Sequence, residues 1–317
     1  MLLFTLRRML VSVVLLTATS FIVFALLHLA PGSPEEVLTG GRPVAESTLE
    51  AIRAQHHLDE PFLSQYGHWA VGVLQGDMGD SITAQQPVRE AISERLPVTL
   101  QLGAFATVLV VIGGVAIGTI AAVKRGKPAD TVLLSAMVGF AAIPPYVTGM
   151  LLILVFSVNL GWFPVFGAGF GIVDRLHHLV LPAIALSLAL SALVARATRS
   201  SLGEALDGEY VEAGRAAGFS ETRVVGKHAL RNAAGPILTV GGITAGYLIT
   251  GGVLVEVTFG LPGLGSLLVE AVQAKDFAIG QAITLVFTAV FIIVTFLVDV
   301  ACAAVDPRLS LGKQATA

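Results

Sequence analysis

The sequence predicts an all-α membrane protein with about six transmembrane helices. Three observations carry this. Of 317 residues, 55% are hydrophobic and only 13% charged, against about 25% charged in an ordinary soluble domain. Mean hydropathy is +0.82, so the polar groups cannot cover the surface in water. Finally, six stretches hold no Asp, Glu, Lys or Arg: 9–29, 97–123, 131–159, 176–195, 233–255 and 277–298.

Each stretch has about 20 residues or more, enough to cross a hydrocarbon core of ~30 Å as helix. Backbone groups in lipid must bond internally, which makes these stretches helical. The first, preceded by Arg7 and Arg8, reads as an uncleaved span, because it exceeds a signal core of roughly 7–15 residues and no Ala-x-Ala site follows. The third carries Pro144 and Pro145. Proline removes a donor and clashes one turn back, so a kink, or a hinge beside a solute path, is expected there. Gly114 with Gly118, and Gly242 with Gly246, are small-xxx-small pairs that let helices approach closely in lipid.

Basic residues set the orientation. Arg7, Arg8, Lys124, Arg125, Lys127, the 196–231 segment, Arg308 and Lys313 fall on one side, and the short loops opposite hold only Arg175 and Lys275. The positive-inside rule therefore puts both termini in the cytoplasm. The resulting organisation is 1–30 as N-terminus and first helix, 31–96 as an extracytoplasmic segment, 97–305 as the transmembrane core and 306–317 as a cytoplasmic tail. In the outer segment, 46–57 and 61–74 each read as amphipathic helices, with Pro61 in a first turn. Phe62, Tyr66 and Trp69 recur at helical spacing and are expected to pack on the outer ends of the spans. His56, His57 and His68 read as exposed loop histidines, and no metal ligands are assigned. The net charge of −3 argues against a nucleic-acid partner. The single cysteine, Cys302, forms no internal disulfide and reads as a small buried hydrophobe.

The loop 198–232 is too long for a simple connector. Ser201 and Glu204 form a capping-box pattern, followed by a helix bent near Gly208 and closed by Gly218 at C′. Ser220 can cap a second helix over 221–229, with Glu221 at its positive end and Lys227 and His228 at its negative end. Such a hairpin either joins two spans or serves as a docking lever for another protein.

Within it, Glu212-Ala213-Gly214, three residues and then Gly218 resemble the E-A-A…G loop of ABC importer permeases, with Gly214 where the second alanine belongs. Tyr210-Val211, Arg215-Ala216-Ala217-Gly218 and His228-Ala229-Leu230-Arg231-Asn232 are similar to the dipeptide/oligopeptide/nickel branch, with Ala217 in place of a usual lysine. So are Leu6-Arg7-Arg8 through Leu29-Ala30-Pro31-Gly32, Leu58-Asp59-Glu60-Pro61, Glu94-Arg95-Leu96-Pro97, Val255-Glu256 through Phe259, Pro262-Gly263-Leu264-Gly265 and Asp306-Pro307-Arg308.

The resemblance implies a type I ABC importer permease of the bacterial inner membrane, forming half of a translocation path for di- or oligopeptides. It would pair with a second homologous permease, two ATPase subunits that carry ATP and Mg, and an extracytoplasmic solute-binding protein, all in membrane lipid. Tyr210, Val211, Glu212, Ala213, Gly214, Arg215, Gly218, Phe219 and Arg223 would form the ATPase-coupling loop, with Tyr210, Val211, Ala213 and Phe219 as apolar contacts. Glu256, which closes the fifth span, could snorkel at its rim. With Phe259, Pro262, Gly263 and Gly265 it is the outer-gate candidate. Thr239, Thr244, Tyr247 and Thr250 are pathway candidates.

No catalytic residue or cofactor is assigned to this chain. Its Gly-Lys pairs, Gly126-Lys127, Gly226-Lys227 and Gly312-Lys313, lack the preceding glycine and following hydroxyl of a Walker A loop, and H-E-x-x-H and G-x-S-x-G are missing. A nickel, metal-chelate or haem importer of the same family is the alternative within the class. A secondary transporter is the alternative outside it, and would require ion-coupling acids or histidines near the midplane.

Overall fold

The computed structural model of the protein describes residues 2–29, 39, 43–55, 59–81 and 85–305. His56, His57, most of 31–42 and the tail 306–317 lie outside the described residues. Among the described residues the structure is helical, with one isolated bridge between Asp80 and Pro87.

Among the described residues, four helices are long and apolar enough to cross a membrane unbroken, with up to six spans if two bent pairs each count as one. The chain divides into two compact units. One comprises Leu100–Gly260 with the last helix from Ile293 onward; the other comprises Leu2–Thr99 and Leu261–Ile292.

In the second unit, α1 (Leu2–Leu29) is the first span. It is followed by α2 (Glu46–Gln55) and α3 (Phe62–Gln75), with Pro61 as N-cap of α3 rather than inside its first turn. The expected aromatic packing is present: Phe62, Tyr66 and Trp69 close on Phe21 and Phe24 of α1 with ring centroids 5.3–5.7 Å apart. Tyr66 Oη lies 2.8 Å from Ser20 Oγ. The start of α4 (Val88–Val123) packs with α12 (Leu264–Ala274) and the start of α13 (Phe277–Val305) around Val88, Ile92, Leu264, Leu267, Ile279 and Ile283.

The first unit is organised on α7 (Gly171–Leu206), against which α5 (Pro128–Ala141), α6 (Pro145–Asn159) and α10 (Ala234–Thr250) pack. The proline kink expected in the third span is a complete break: α5 and α6 meet at 96°. Pro144 and Pro145 offer no amide hydrogen to continue α5, and Pro145 is pre-set to begin a new helix. The second half of α6, Ile153–Asn159, is π-helical.

Beyond α8 (Glu209–Ala216), α9 (Glu221–Asn232) meets α10 at 66°. The expected fifth span, 233–255, also ends early. α10 stops at Thr250, and α11 (Val253–Thr258) follows Gly251 and Gly252.

Gly114, Gly118 and Gly242 do what the small-residue spacing predicts. A Cβ on Gly114 would stand 2.6 Å from Val194 Cβ, and one on Gly118 would stand 2.5 Å from the Ala195 carbonyl oxygen. Gly242 is pressed in the same way against Val298 of α13.

Candidate coupling site and outer gate

The candidate coupling loop begins as a direct extension of α7. Ser201 was expected to cap a new helix, but it lies inside α7, which continues to Leu206. Residues 196–202 contain no Gly or Pro, the single Gly203 is buried within the helix, and the helix ends only at Asp207-Gly208. With 36 residues, α7 is about 54 Å long. It therefore extends well past a ~30 Å hydrocarbon core and carries the loop on a rigid stalk.

α8 then runs from Glu209 to Ala216, with Gly208 as N-cap. Its end is a Schellman turn: Phe219 N–H donates to Gly214 O (3.1 Å) and Gly218 N–H to Arg215 O (2.9 Å), with Gly218 at φ +80°. Ser220 occupies the N-cap position of α9 as expected, but its side chain makes no capping bond. α9 extends to Asn232, past the expected end at Ala229, with a π-helical stretch at Val224–Ala229.

The hairpin has its own small core. Val211 and Val224 are fully buried, which corrects one assignment: Val211 is enclosed and cannot offer an outward apolar contact. Tyr210, Glu212, Ala213 and Phe219 are exposed. Tyr210 Oη donates to Ala205 O (2.8 Å), so the ring bridges the break at Gly208.

Arg215 forks onto Glu221, Nε–Oε1 at 2.8 Å and Nη2–Oε2 at 3.3 Å, tying α8 to α9. This bond holds the Glu221 carboxyl below the usual carboxylate range. The Phe219 ring stacks on His228, with centroids 5.7 Å apart, and the Arg223 guanidinium lies 4.5 Å from the Phe219 centroid. The arrangement is a stiff, two-helix projection with a mixed aromatic and charged outer face.

Two further contacts at this end were not found from the sequence. Arg199 of α7 forks onto Asp130 of α5, with both N···O distances 2.6 Å, and Arg125 Nη1 donates to Asp207 Oδ2 at 2.9 Å. Their partners lie 69 and 82 positions apart, and no local pattern signals them.

Of the outer-gate candidates, Glu256 and Phe259 belong to the first unit and Pro262, Gly263 and Gly265 to the second. Glu256 is 1% exposed, so it is enclosed by protein and does not snorkel at a rim. Phe259 is buried against Gly149 of α6, where a Cβ would stand 2.8 Å from its ring. Its carbonyl accepts the Gly167 N–H at 3.1 Å.

In the second unit Pro262 is exposed, while Gly263 and Gly265 are buried at the start of α12. There the Leu264 N–H donates to Thr99 Oγ1 (2.8 Å) and the Gly263 N–H to Ser266 Oγ (3.2 Å).

The pathway candidates separate on α10. Thr239 and Tyr247 share an exposed face with Pro236 and Ile243, and Thr250 is half-buried on the same stripe. Thr244 is 1% exposed and points away from it.

Membrane-length helices carrying a stiff hairpin on an overlong stalk define a polytopic helical membrane protein. The description "binding-protein-dependent transport system inner membrane component" belongs to a family profile matching residues 114–311, and the corresponding N-terminal family matches residues 1–103. The glutathione transport system permease protein GsiC of Escherichia coli strain K12 is 39% identical over 309 residues, 98% of this chain and 99% of that protein. GsiC of Salmonella choleraesuis strain SC-B67 is 40% identical over 310 residues, with the same coverage. An inward-facing structure of the MetNI methionine ABC transporter aligns with a TM-score of 0.57 at 17% identity, covering 68% of this chain and 95% of that one, which shows a shared fold. The chain belongs to the binding-protein-dependent transport system inner membrane component family. It is a multi-pass permease of an ABC importer.

Proposed function

We propose that this permease forms half of a translocation path for glutathione or short peptides, pairs with a second homologous permease, and is driven by two ATPase subunits docked on residues 198–232. ATP and Mg are held by those subunits, and a solute-binding protein delivers cargo from outside. Both termini face the cytoplasm, in keeping with the basic-residue asymmetry of the loops. Glutathione is the cargo named for the relatives that align end to end.

The observation that carries the coupling role is the α8–α9 hairpin. It presents Tyr210, Glu212, Ala213, Phe219 and Arg223 outward, while the Schellman turn at Gly218 and the Arg215–Glu221 pair keep it stiff; Gly214 lies within α8. A lever of this kind transmits force because it is bonded at both ends to spans. Glu256, Phe259, Pro262, Gly263 and Gly265 belong to the outer gate, and Thr239, Thr244, Tyr247 and Thr250 are the polar residues of the pathway helix.

The test is ATP-dependent uptake of labelled glutathione and dipeptides by the reconstituted assembly. Glu212→Lys is expected to leave the permease in the membrane and abolish uptake. Normal uptake with that change removes the loop from the mechanism. Uptake driven by an ion gradient without nucleotide overturns the whole reading.

A further inference from the structure

The inner end of α7 is clamped twice to the turn between α4 and α5. Asp130 is the third residue of α5, and its side chain is 4% exposed. It accepts the Arg199 fork and also the Gly126 N–H at 3.2 Å. A bidentate, charge-assisted pair is geometrically specific, and because the Asp130 side is buried while Arg199 is one-third exposed, losing Arg199 strands the carboxylate.

Arg125 lies in the same turn and holds Asp207, the residue that ends α7 immediately before Gly208 and α8. The two pairs are separated by about two turns of α7. Arg125–Asp207 is exposed and adds little by itself, so Asp130–Arg199 carries most of the restraint and the second contact fixes the direction of the helix end. α5 packs along α7 in the same region.

We infer that Asp130–Arg199 and Arg125–Asp207 make the α4–α5 turn and the stalk of the coupling hairpin one rigid block. The motion of the hairpin then reaches α4 and α5 as well as its own two spans. Arg199 and Asp130 are positioning residues for transport: they touch neither solute nor nucleotide. This inference rests on the coupling role proposed for residues 198–232.

Two readouts on the reconstituted assembly test it. The first is glutathione transported per ATP hydrolysed. With Arg199→Ala, and with Asp130→Asn, which keeps an acceptor for the Gly126 N–H, this ratio is expected to fall roughly 2- to 30-fold while ATP hydrolysis continues. Asp130→Asn carries the test if Arg199→Ala does not assemble.

The second readout is the distance between spin labels at Lys127→Cys and Thr222→Cys in a Cys302→Ser background. It is expected to stay constant between nucleotide-free and ATP-bound states with both pairs intact, and to change with nucleotide in Arg125→Ala/Arg199→Ala. An unchanged transport ratio in both single variants, or a label distance that changes with nucleotide while both pairs are intact, overturns the inference. Failure of the coupling-loop reading is distinguishable, because Glu212→Lys would then also leave uptake intact.

Discussion

Gly118 faces the Ala195 carbonyl so closely that a Cβ would stand 2.5 Å from the oxygen, and the same Cβ would stand 2.5 Å from Thr198 Cβ. The obstacle is backbone, which cannot rotate away. Gly118→Val is therefore expected to destabilise the permease by about 1–3 kcal/mol, the usual cost of overpacking. Gly113 is the control, since its Cβ would meet only Ser191 Oγ at 4.0 Å. Gly113→Ala should be neutral or stabilising by about 0.5–1 kcal/mol, the helix-interior difference between Gly and Ala. Thermal midpoints of the two variants in detergent check the contrast.

Gly214 within α8 and Gly218 just past its end should behave in opposite ways. Gly214 lies within α8, where a Cβ would meet Phe219 at 3.6 Å and Val224 at 3.9 Å, both ordinary contacts. Gly214→Ala, which gives the loop the alanine its family pattern has there, should preserve uptake and stabilise the hairpin by about 0.5–1 kcal/mol. Gly218, at φ +80°, has open space around it, but its backbone costs an L-residue about 1–2 kcal/mol. Gly218→Ala should loosen the Schellman turn, and Gly218→Trp should also obstruct docking and abolish uptake. Uptake and protease sensitivity of the 209–232 segment measure both effects.

These contrasts show how far the sequence could be read. The bend at Gly208, the left-handed Gly218 and the cap position of Ser220 were legible because each is a local backbone demand. Val211 was misplaced because an eight-residue amphipathic helix can turn an apolar residue outward or into its own hairpin, and periodicity does not say which. Ser201 was misread as a cap because its side-chain pattern is compatible with a helix interior when nothing upstream breaks the helix. The Asp130–Arg199 and Arg125–Asp207 pairs were invisible for a different reason. They depend on how α5 and α7 meet in space, and one sequence carries no signal for that.

The Arg215–Glu221 pair gives a pH dependence with a definite sign. The folded carboxyl of Glu221 has its pKa lowered by the Arg215 hydrogen bond. Its contribution is therefore fully present above the unfolded value of about 4.3 and is lost as pH falls through the folded value. Glu221→Gln should lower the thermal midpoint at neutral pH, and the difference from the native chain should vanish in acid. Both side chains are exposed, 45% and 64%, so the effect should also shrink in high salt. A gap that persists at low pH would assign the stabilisation to something other than this ion pair.

On α10 the structure separates four hydroxyl-bearing candidates that the sequence could only group. Thr239, Ile243 and Tyr247 follow one another at helical spacing on an exposed face, with Tyr247 57% and Ile243 45% exposed, while Thr244 is 1% exposed. The hydroxyls of Thr239 and Thr250 bond to Gly235 and Gly246 carbonyls of their own helix at 3.0 and 3.1 Å. Thr239 Oγ1 also meets Cys302 Sγ of α13 at 3.7 Å. The own-helix bonds satisfy both hydroxyls as donors and leave the exposed side of the stripe available to a solute or a second subunit.

Single cysteines at 239, 243, 244 and 247, in a Cys302→Ser background, distinguish these surroundings. If the stripe lines a wet pathway, a membrane-impermeant thiol reagent should label 239 and 247 in the assembled transporter and leave 244 unlabelled, and loaded binding protein with ATP should change the labelling rate. Labelling of 239 and 247 only after the assembly is dispersed would place the stripe against the partner permease. Equal labelling of 244 would mean that the helix turns a different face to the path.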